Sequence, residues 1–413
     1  MDKGKRKKAI AFFMITAAVL TALSVGINIY NTPENRLARQ LDAANTYLKE
    51  MDYGQAVTAF TKAVEMDPGN VESYLGMAEA YRGLDDTDMA VQTLEKGYEA
   101  TGDERFLEEK QKYDYVIEWE DQVFESLIRQ CMDKPEGGIY RSEIKEIKDL
   151  EITERKLCLY GEDHRLLTTA CTEEEIQSLS DLQYFEGLTR LEAWYDYFDT
   201  GAISSLTGLT CLKLRGDHIS DISALSNLTG LTYLDLTSNE ISDISALSGL
   251  TNLEYLDLFD NEISNIDALS GLTNVTELYL RLNKISDISP LSNLTQLKSL
   301  DLSMNDSSDI TILSNLTSLT YLILEYNDIS DISALSSLTN LTWLELGHNQ
   351  ISDVRALSGL TKLEVLHLEW NQISEVSALS GLTNLTHLDL TGDEINDYSP
   401  VSFVPGTVIW FSH

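Results

Sequence analysis

Asn239, Asn261, Asn283, Asn305, Asn327, Asn349 and Asn371 recur at a constant step of 22 residues, and Asp217 and Asp393 hold the same position at either end. Ahead of each lies one apolar frame, for example Leu225, Leu228, Leu231, Leu234 and Leu236 before Asn239. After each comes Ile-Ser-Asp-Ile-Ser or a close variant, as from Ile241 to Ser245. The alternation Leu234-Asp235-Leu236 is a period-2 strand signal, so the leucines face one way and the residues between them the other. The wider spacing of Leu225, Leu228 and Leu231 suits a tight turn or short helical segment. One such unit cannot bury its own leucines. Stacked units bury them continuously, with parallel strands about 4.8 Å apart. The Asn tolerates a tight turn and carries an amide able to bond the backbone of the next coil, which predicts a structural ladder.

The segment 1–8 carries Lys3, Lys5, Arg6, Lys7 and Lys8, and 9–30 contains no charged residue. That uncharged length is about the ~20 residues a bilayer-spanning helix needs. Basic residues favour the cytoplasmic side, which predicts a single pass with the N-terminus inside and the remainder extracytoplasmic. The segment reads as an uncleaved transmembrane signal anchor, because the apolar run continues past the small residues Ala22-Leu23-Ser24. A signal peptide cut after those residues, giving a secreted protein, is the alternative. A linker, 31–36, follows.

A second period then begins. Tyr47, Ala56, Phe60 and Ala63 recur as Tyr81, Ala90, Leu94 and Gly97, each displaced by 34 residues, and Pro68 falls where the first unit should end. This pattern resembles the tetratricopeptide repeat, in which small residues sit at close helix crossings, with Tyr74 where that family often has Trp. The resemblance implies an all-α helical domain, 37–134, closed by one longer helix from Glu104 to Met132 with Phe106, Tyr113, Ile117, Phe124 and Ile128 on its apolar face. Such a short groove is either a stalk or docking platform, or a peptide receptor. The breaker cluster Lys134-Pro135-Glu136-Gly137-Gly138 marks the domain boundary. A linker and irregular N-terminal cap, 135–202, comes next, with Ile147, Leu150, Ile152, Leu157 and Leu159 in irregular strands. Leu182, Phe185, Leu188, Leu191 and Ala193 anticipate the frame one residue out of register with the repeats, as suits a terminal cap. The solenoid spans 203–396, and a C-terminal cap, 397–413, includes a closing strand at Val408-Ile409-Trp410-Phe411.

The fold class is therefore a multidomain repeat protein: an N-terminal transmembrane helix, an all-α tetratricopeptide-like domain, then a solenoid with a parallel sheet and short helical turns. The frame Leu-x-x-Leu-x-Leu-x-x-Asn-x-Ile-Ser-Asp-Ile resembles the internalin-type leucine-rich repeats of bacterial surface proteins, over about Leu182 to Val404. That resemblance implies a curved horseshoe whose concave sheet binds other proteins and whose repeats carry no catalytic machinery. The cap before the repeats is unusual for that family, so its host receptors are not carried over.

A net charge of −37 argues against a nucleic-acid partner, because phosphates are repelled rather than neutralised. The four cysteines are too few and too scattered for a disulfide framework or a zinc site, although a Cys158–Cys171 bridge is conceivable. The strand alternation places Tyr233, Tyr255, Tyr321 and Trp343 in one outward column, Tyr279, Glu345 and His367 in the next, and Phe259 and Arg281 in a third with Arg215, Glu325 and Glu369. Trp370 and Tyr326 lie one step further on. Aromatic and Arg side chains ringed by carboxylates have the composition of a protein-binding hot spot. Tyr233, Tyr255, Phe259, Tyr279, Arg281, Tyr321, Trp343, Glu345, His367 and Trp370 are thus the candidate residues, for a protein or peptide with basic patches. The alternative is that neighbouring rings stack only to support the sheet.

Asp221, Asp243, Asp287, Asp309, Asp331 and Asp353 form a further column. One carboxylate per repeat falls short of the 6–8 oxygens calcium prefers, and Asp before Ile-Ser reads instead as a cap for a short helical turn. His367 and His387, with Glu345 and Asp389, could approach a metal only if the register allows, and no known ligand spacing occurs. The Asn-Leu-Thr triplets follow from the frame itself. No metal, cofactor or enzymatic chemistry is expected. Two functions fit: a non-enzymatic protein-binding module on the outer side of the cell membrane, for adhesion or sensing, or a cell-envelope scaffold whose helical domain docks on a membrane assembly while the solenoid spaces it.

Overall fold

The computed structural model describes residues 32–161, 164–194, 199–216 and 218–408, together with Met14, as two compact units divided between Val116 and Ile117. The first unit holds the helices Pro33–Lys49, Tyr53–Met66, Val71–Gly83 and Thr87–Thr101, followed by the short helix Arg105–Lys110. Each of the four longer helices starts at a side-chain cap. Asp52 and Asp86 occupy equivalent positions and accept the N–H groups of Gln55 and Met89, at 3.2 and 3.0 Å. Ala56, Ala63 and Ala90 are wholly buried at the helix crossings. Gly76 allows the closest approach, because a methyl group there would collide with the Phe60 ring. Tyr74 meets Phe106 edge-on, with ring centroids 6.1 Å apart.

The single helix expected from Glu104 to Met132 is corrected to two, Arg105–Lys110 and Gln122–Cys131. The apolar residues of that stretch serve different cores, so the chain between them leaves the helical path. Phe106 and Tyr113 pack with Tyr74 and Leu94, whereas Ile117, Phe124 and Ile128 join the core that continues through the solenoid. Residues 117–134, expected with the helical domain, accordingly fold with the second unit.

The fold class is also corrected at the N-terminus. Among the described residues no helix is long and apolar enough to cross a membrane, so the transmembrane helix is no part of the fold described. The segment 9–30 itself lies, apart from Met14, outside the described residues.

In the second unit every described strand belongs to one sheet. It begins with β1 (Asp149–Thr153), β2 (Lys156–Tyr160) and β3 (Leu166–Cys171), which pair antiparallel, and β1 then pairs parallel with β4 (Arg190–Trp194). From β4 onward all pairing is parallel, through β5 (Cys211–Leu214) to β13 (His387–Asp389) and the closing β14 (Gly406–Val408). Leu191 lies opposite Leu212, so the one-residue shift read from the cap is absorbed between β4 and β5. Of the expected closing strand, Val408 belongs to β14 and 409–411 lie outside the described residues. The frame leucines are fully buried; Leu225, Leu228, Leu231, Leu234 and Leu236 are all 0% exposed. Each coil turns through a short 3₁₀ helix such as Ser245–Gly249, before which Asp243 accepts the Ser245 N–H at 2.8 Å. That bond closes a turn two residues on and holds the Asp243 carboxyl below its usual range.

The Asn ladder forms as the spacing predicts. Asn261 Nδ2 donates to the carbonyls of Leu236, one coil back, and Leu258, at 3.0 and 3.2 Å, and Oδ1 accepts the Ile241 N–H at 3.0 Å. The tight turn falls one residue earlier than expected. Ser238, Asp260, Leu282, Met304, Tyr326, His348 and Trp370, each just before a ladder Asn, all have φ between 53° and 57°, in the left-handed region. Asp217 lies outside the described residues. The four cysteines are free thiols, so the Cys158–Cys171 bridge is absent.

Candidate protein-binding face

The strand register gathers the expected residues into two groups on the open face of the sheet. In the first, the Tyr233 and Tyr255 rings stack with centroids 4.1 Å apart and 4° between planes, and Tyr279 lies 5.5 Å beyond. The Arg281 guanidinium sits 5.7 Å from the Phe259 ring, and Lys213 Nζ lies 5.6 Å from that of Tyr233. Three cations pair with carboxylates here. Arg215 pairs with the fully buried Asp235, and Glu192 with Lys213 at 3.1 Å and Arg190 at 3.0 Å. Arg215 also lies over the half-exposed Trp194. Lys213, Trp194 and Glu192 extend the face into the cap, where the broken frame hid them from sequence reading.

The second group is built on the strands Tyr321–Ile323, Trp343–Glu345 and Val365–His367. Tyr321 and Trp343 lie opposite each other with rings 5.6 Å apart, and His367 meets Trp343 edge-on at 6.1 Å. Trp343 Nε1 donates to Glu345 Oε1. The two groups are separated by Ser299, Asp301 and Ser303, of which the last two are buried and bonded to each other at 2.6 Å. Trp370 is not in the strand columns. It occupies a left-handed position at the rim, where His348 stacks between it and Tyr326, at 5.9 and 4.0 Å. The left-handed backbone turns these three rings outward, and Tyr326 and Trp370 are 46% and 48% exposed.

The His367, His387, Glu345 and Asp389 grouping does not assemble. His387 shares a column with Trp343 and Val365 and bonds Thr386, whereas His367 stands opposite Glu345 with Nδ1 3.9 Å from its Oε1. Glu325, Glu345 and His367 come together instead, each offering a ligand atom within 4.8 Å of the others. Burial, then the charges of Glu345 and Glu369, push the Glu325 carboxyl up to about 8. The repeat numbering puts Glu325 and Glu369 in one column, with Gly347 at the position between them. These carboxylates can hold a cation or share a proton.

Residues 207–249, 229–272, 251–293, 273–315 and 317–359 match the family described as Leucine Rich repeats (2 copies), and 352–395 match that described as Leucine rich repeat. The repeats are leucine-rich repeats. Residues 47–107 match the Tetratricopeptide repeat. No curated protein matches the chain. Among solved structures, an internalin (inlF) from Listeria monocytogenes is 29% identical, with a TM-score of 0.54, over 70% of this chain and 94% of its own. The functional domain of InlJ from the same organism, which includes a cysteine ladder, is 22% identical with a TM-score of 0.57, over 70% of this chain and 59% of its own. The second likeness carries the fold alone. The leucine-rich repeats thus resemble those of an internalin in both sequence frame and structure.

Proposed function

We propose that the chain is a non-enzymatic binding module that recognises a protein or peptide on the open sheet face of its leucine-rich repeats, for adhesion or sensing. The observation that carries this reading is the pair of aromatic groups on the sheet face, with Tyr233, Tyr255, Tyr321 and Trp343 half-buried among charged neighbours. Rings in that setting offer large contact area at little cost in side-chain entropy. The likeness to an internalin supports the same reading. The net charge of −37 favours a basic protein surface and disfavours nucleic acid. The basic segment 1–8 and the uncharged 9–30 support display outside the cytoplasm.

Peptides selected from a displayed random library on the full chain test this. Binders are expected to lose about ten-fold in affinity for Tyr321→Ala or Trp343→Ala, as for a hot-spot ring. Equal binding by both folded variants would sink the reading.

A second reading draws on the helical unit, which has its own groove of about 530 Å³ lined by Leu41, Asp42, Glu72, Leu75, Gly76 and Glu79. In it, the helical repeats dock on an assembly of the cell envelope and the solenoid spaces that assembly. Leu41→Asp and Leu75→Asp are then expected to abolish co-purification of the cell's own envelope proteins, and retention of those proteins would remove this reading.

A further inference from the structure

On the strand face from Tyr321 to Asp389 stand Glu325, Glu345, Glu369 and Asp389, with no Lys or Arg among them. The two basic residues of that stretch are engaged elsewhere. Arg355 pairs with Asp353 at the start of a 3₁₀ turn, and Lys362 donates to Asn340 at 2.7 Å. The first half of the face pairs Glu192 and Asp235 with Arg190, Lys213 and Arg215, and the second half offers no such Lys or Arg pairs on its strands. Gly347 occupies the column position that Glu325 and Glu369 hold in the adjacent coils, and this leaves a notch. The Glu369 carboxylate leans into it, since a methyl on Gly347 would collide with that group. Glu369 Oε2 is shielded from water yet has no hydrogen-bond partner among the described residues. Glu345, bonded by the Trp343 indole, stands in the neighbouring column, and the stack of Tyr326, His348 and Trp370 follows one residue beyond Glu325, Gly347 and Glu369.

We propose that this notch receives the guanidinium of an arginine carried by the protein or peptide partner. The inference rests on the binding reading above and names the chemistry of one contact within it. A guanidinium is planar, presents five N–H donors and stacks on aromatic faces, so one group answers both the surplus of carboxylate oxygens and the ring walls. A metal ion fits less well. His367 Nδ1 and Glu345 Oε1 lie 3.9 Å apart, wider than the roughly 3.4 Å between tetrahedral ligands held about 2.1 Å from zinc. Glu345 Oε1 is also already taken by the Trp343 indole.

The test compares a labelled octapeptide containing two arginines with the same peptide carrying citrulline, the neutral isostere. The full chain is expected to prefer the arginine form by about ten-fold, the scale of a charge-assisted contact. Glu325→Gln with Glu369→Gln should erase that preference. Asp243→Asn with Asp287→Asn, which removes equal charge at the turn edge, should keep it. Gly347→Ala fills the notch while keeping every carboxylate and should also erase the preference; far-ultraviolet dichroism checks the fold of each variant. Equal loss in both double variants, or no preference in the parent, overturns the proposal. So does Zn²⁺ alone abolishing the preference, which would assign the site to a metal. If the preference is absent but Tyr321→Ala and Trp343→Ala still weaken selected ligands, only this inference falls and the binding reading stands.

Discussion

Asp181 accepts the backbone N–H of Asp121 at 3.0 Å, while Asp121 accepts the N–H groups of Gln177 and Ser178 at 2.6 and 3.0 Å. Each carboxylate thus fixes the other's segment. Asp181 also takes the Glu120 N–H, and Asp121 caps the helix Gln122–Cys131 through Phe124. Burial raises the Asp181 carboxyl above its usual range, against the pull of the amides it accepts from. The pair closes the first end of the solenoid core. Without it, the helix that carries Phe124, Leu127 and Ile128 has no fixed start.

Asp181→Ala leaves the buried Asp121 amide without an acceptor, at about 1–3 kcal/mol, and the part-buried Glu120 amide at less than that. A loss of roughly 2–4 kcal/mol in urea unfolding of the full chain is expected. An unchanged midpoint would show that the cap does not depend on this exchange.

Asp393 holds the last ladder position but lacks the donor that an Asn supplies. Its Oδ1 accepts the Ile373 N–H at 2.9 Å, and Oδ2 has no partner among the described residues. Burial, with smaller effects from Glu369 and Asp389, pushes this carboxyl up to about 7. By the pattern of Asn371, an amide here would donate to the Leu368 and Leu390 carbonyls. Asp393→Asn is expected to stabilise the chain by about 1–2 kcal/mol at pH 8. The folded pKa lies above the unfolded one, so the contribution of the proton is lost as pH rises from about 4 to about 7. The Asn variant should lack that slope, and a gain that did not grow with pH would contradict the argument.

The leucine frame made the solenoid legible because burial on one side fixes strand register at every coil. The Asn ladder was legible too, since few side chains both donate and accept in one plane. The left-handed residues were not. Ser238, Leu282 and Trp370 share no side-chain chemistry, so their common backbone left no trace in composition. The break between Arg105–Lys110 and Gln122–Cys131 was hidden for another reason: both halves keep helical periodicity, and only the separate cores they enter divide them. The strand alternation made the columns of the face legible, because the register pairs equivalent residues of successive coils. The lean of the Glu369 carboxylate over Gly347 left no such signal, because it depends on a side chain that Gly347 lacks.

Leu282 sits at a left-handed φ of 56° and is 40% exposed, so its side chain contributes little burial to set against the backbone cost. That conformation costs an L residue about 1–2 kcal/mol, and glycine avoids it at an entropic cost of about 0.5–1 kcal/mol. Leu282→Gly should therefore be neutral or stabilising by up to about 1 kcal/mol. Leu282→Ile should lose about 1 kcal/mol, because β-branching worsens the same clash. Chemical denaturation of both variants checks the order, and an isoleucine variant as stable as the glycine one would refute it.

The Glu325 carboxyl, crowded by Glu345 and Glu369 and near His367, gives the repeats a pH response of defined sign. Its folded pKa of about 8 exceeds the ordinary value of 4.5, so the folded state holds a proton that the unfolded chain releases. That proton's contribution to stability is complete below about pH 4.5 and is lost as pH rises through about 8. The thermal midpoint of Asp393→Asn, which removes the other titration, should fall between about pH 6.5 and 8.5. Adding Glu325→Gln should flatten the fall, since a neutral amide has no proton to lose. Differential scanning calorimetry at the two pH values decides it. A fall of equal size in both variants would place the titrating group elsewhere and leave Glu325 an ordinary surface carboxylate.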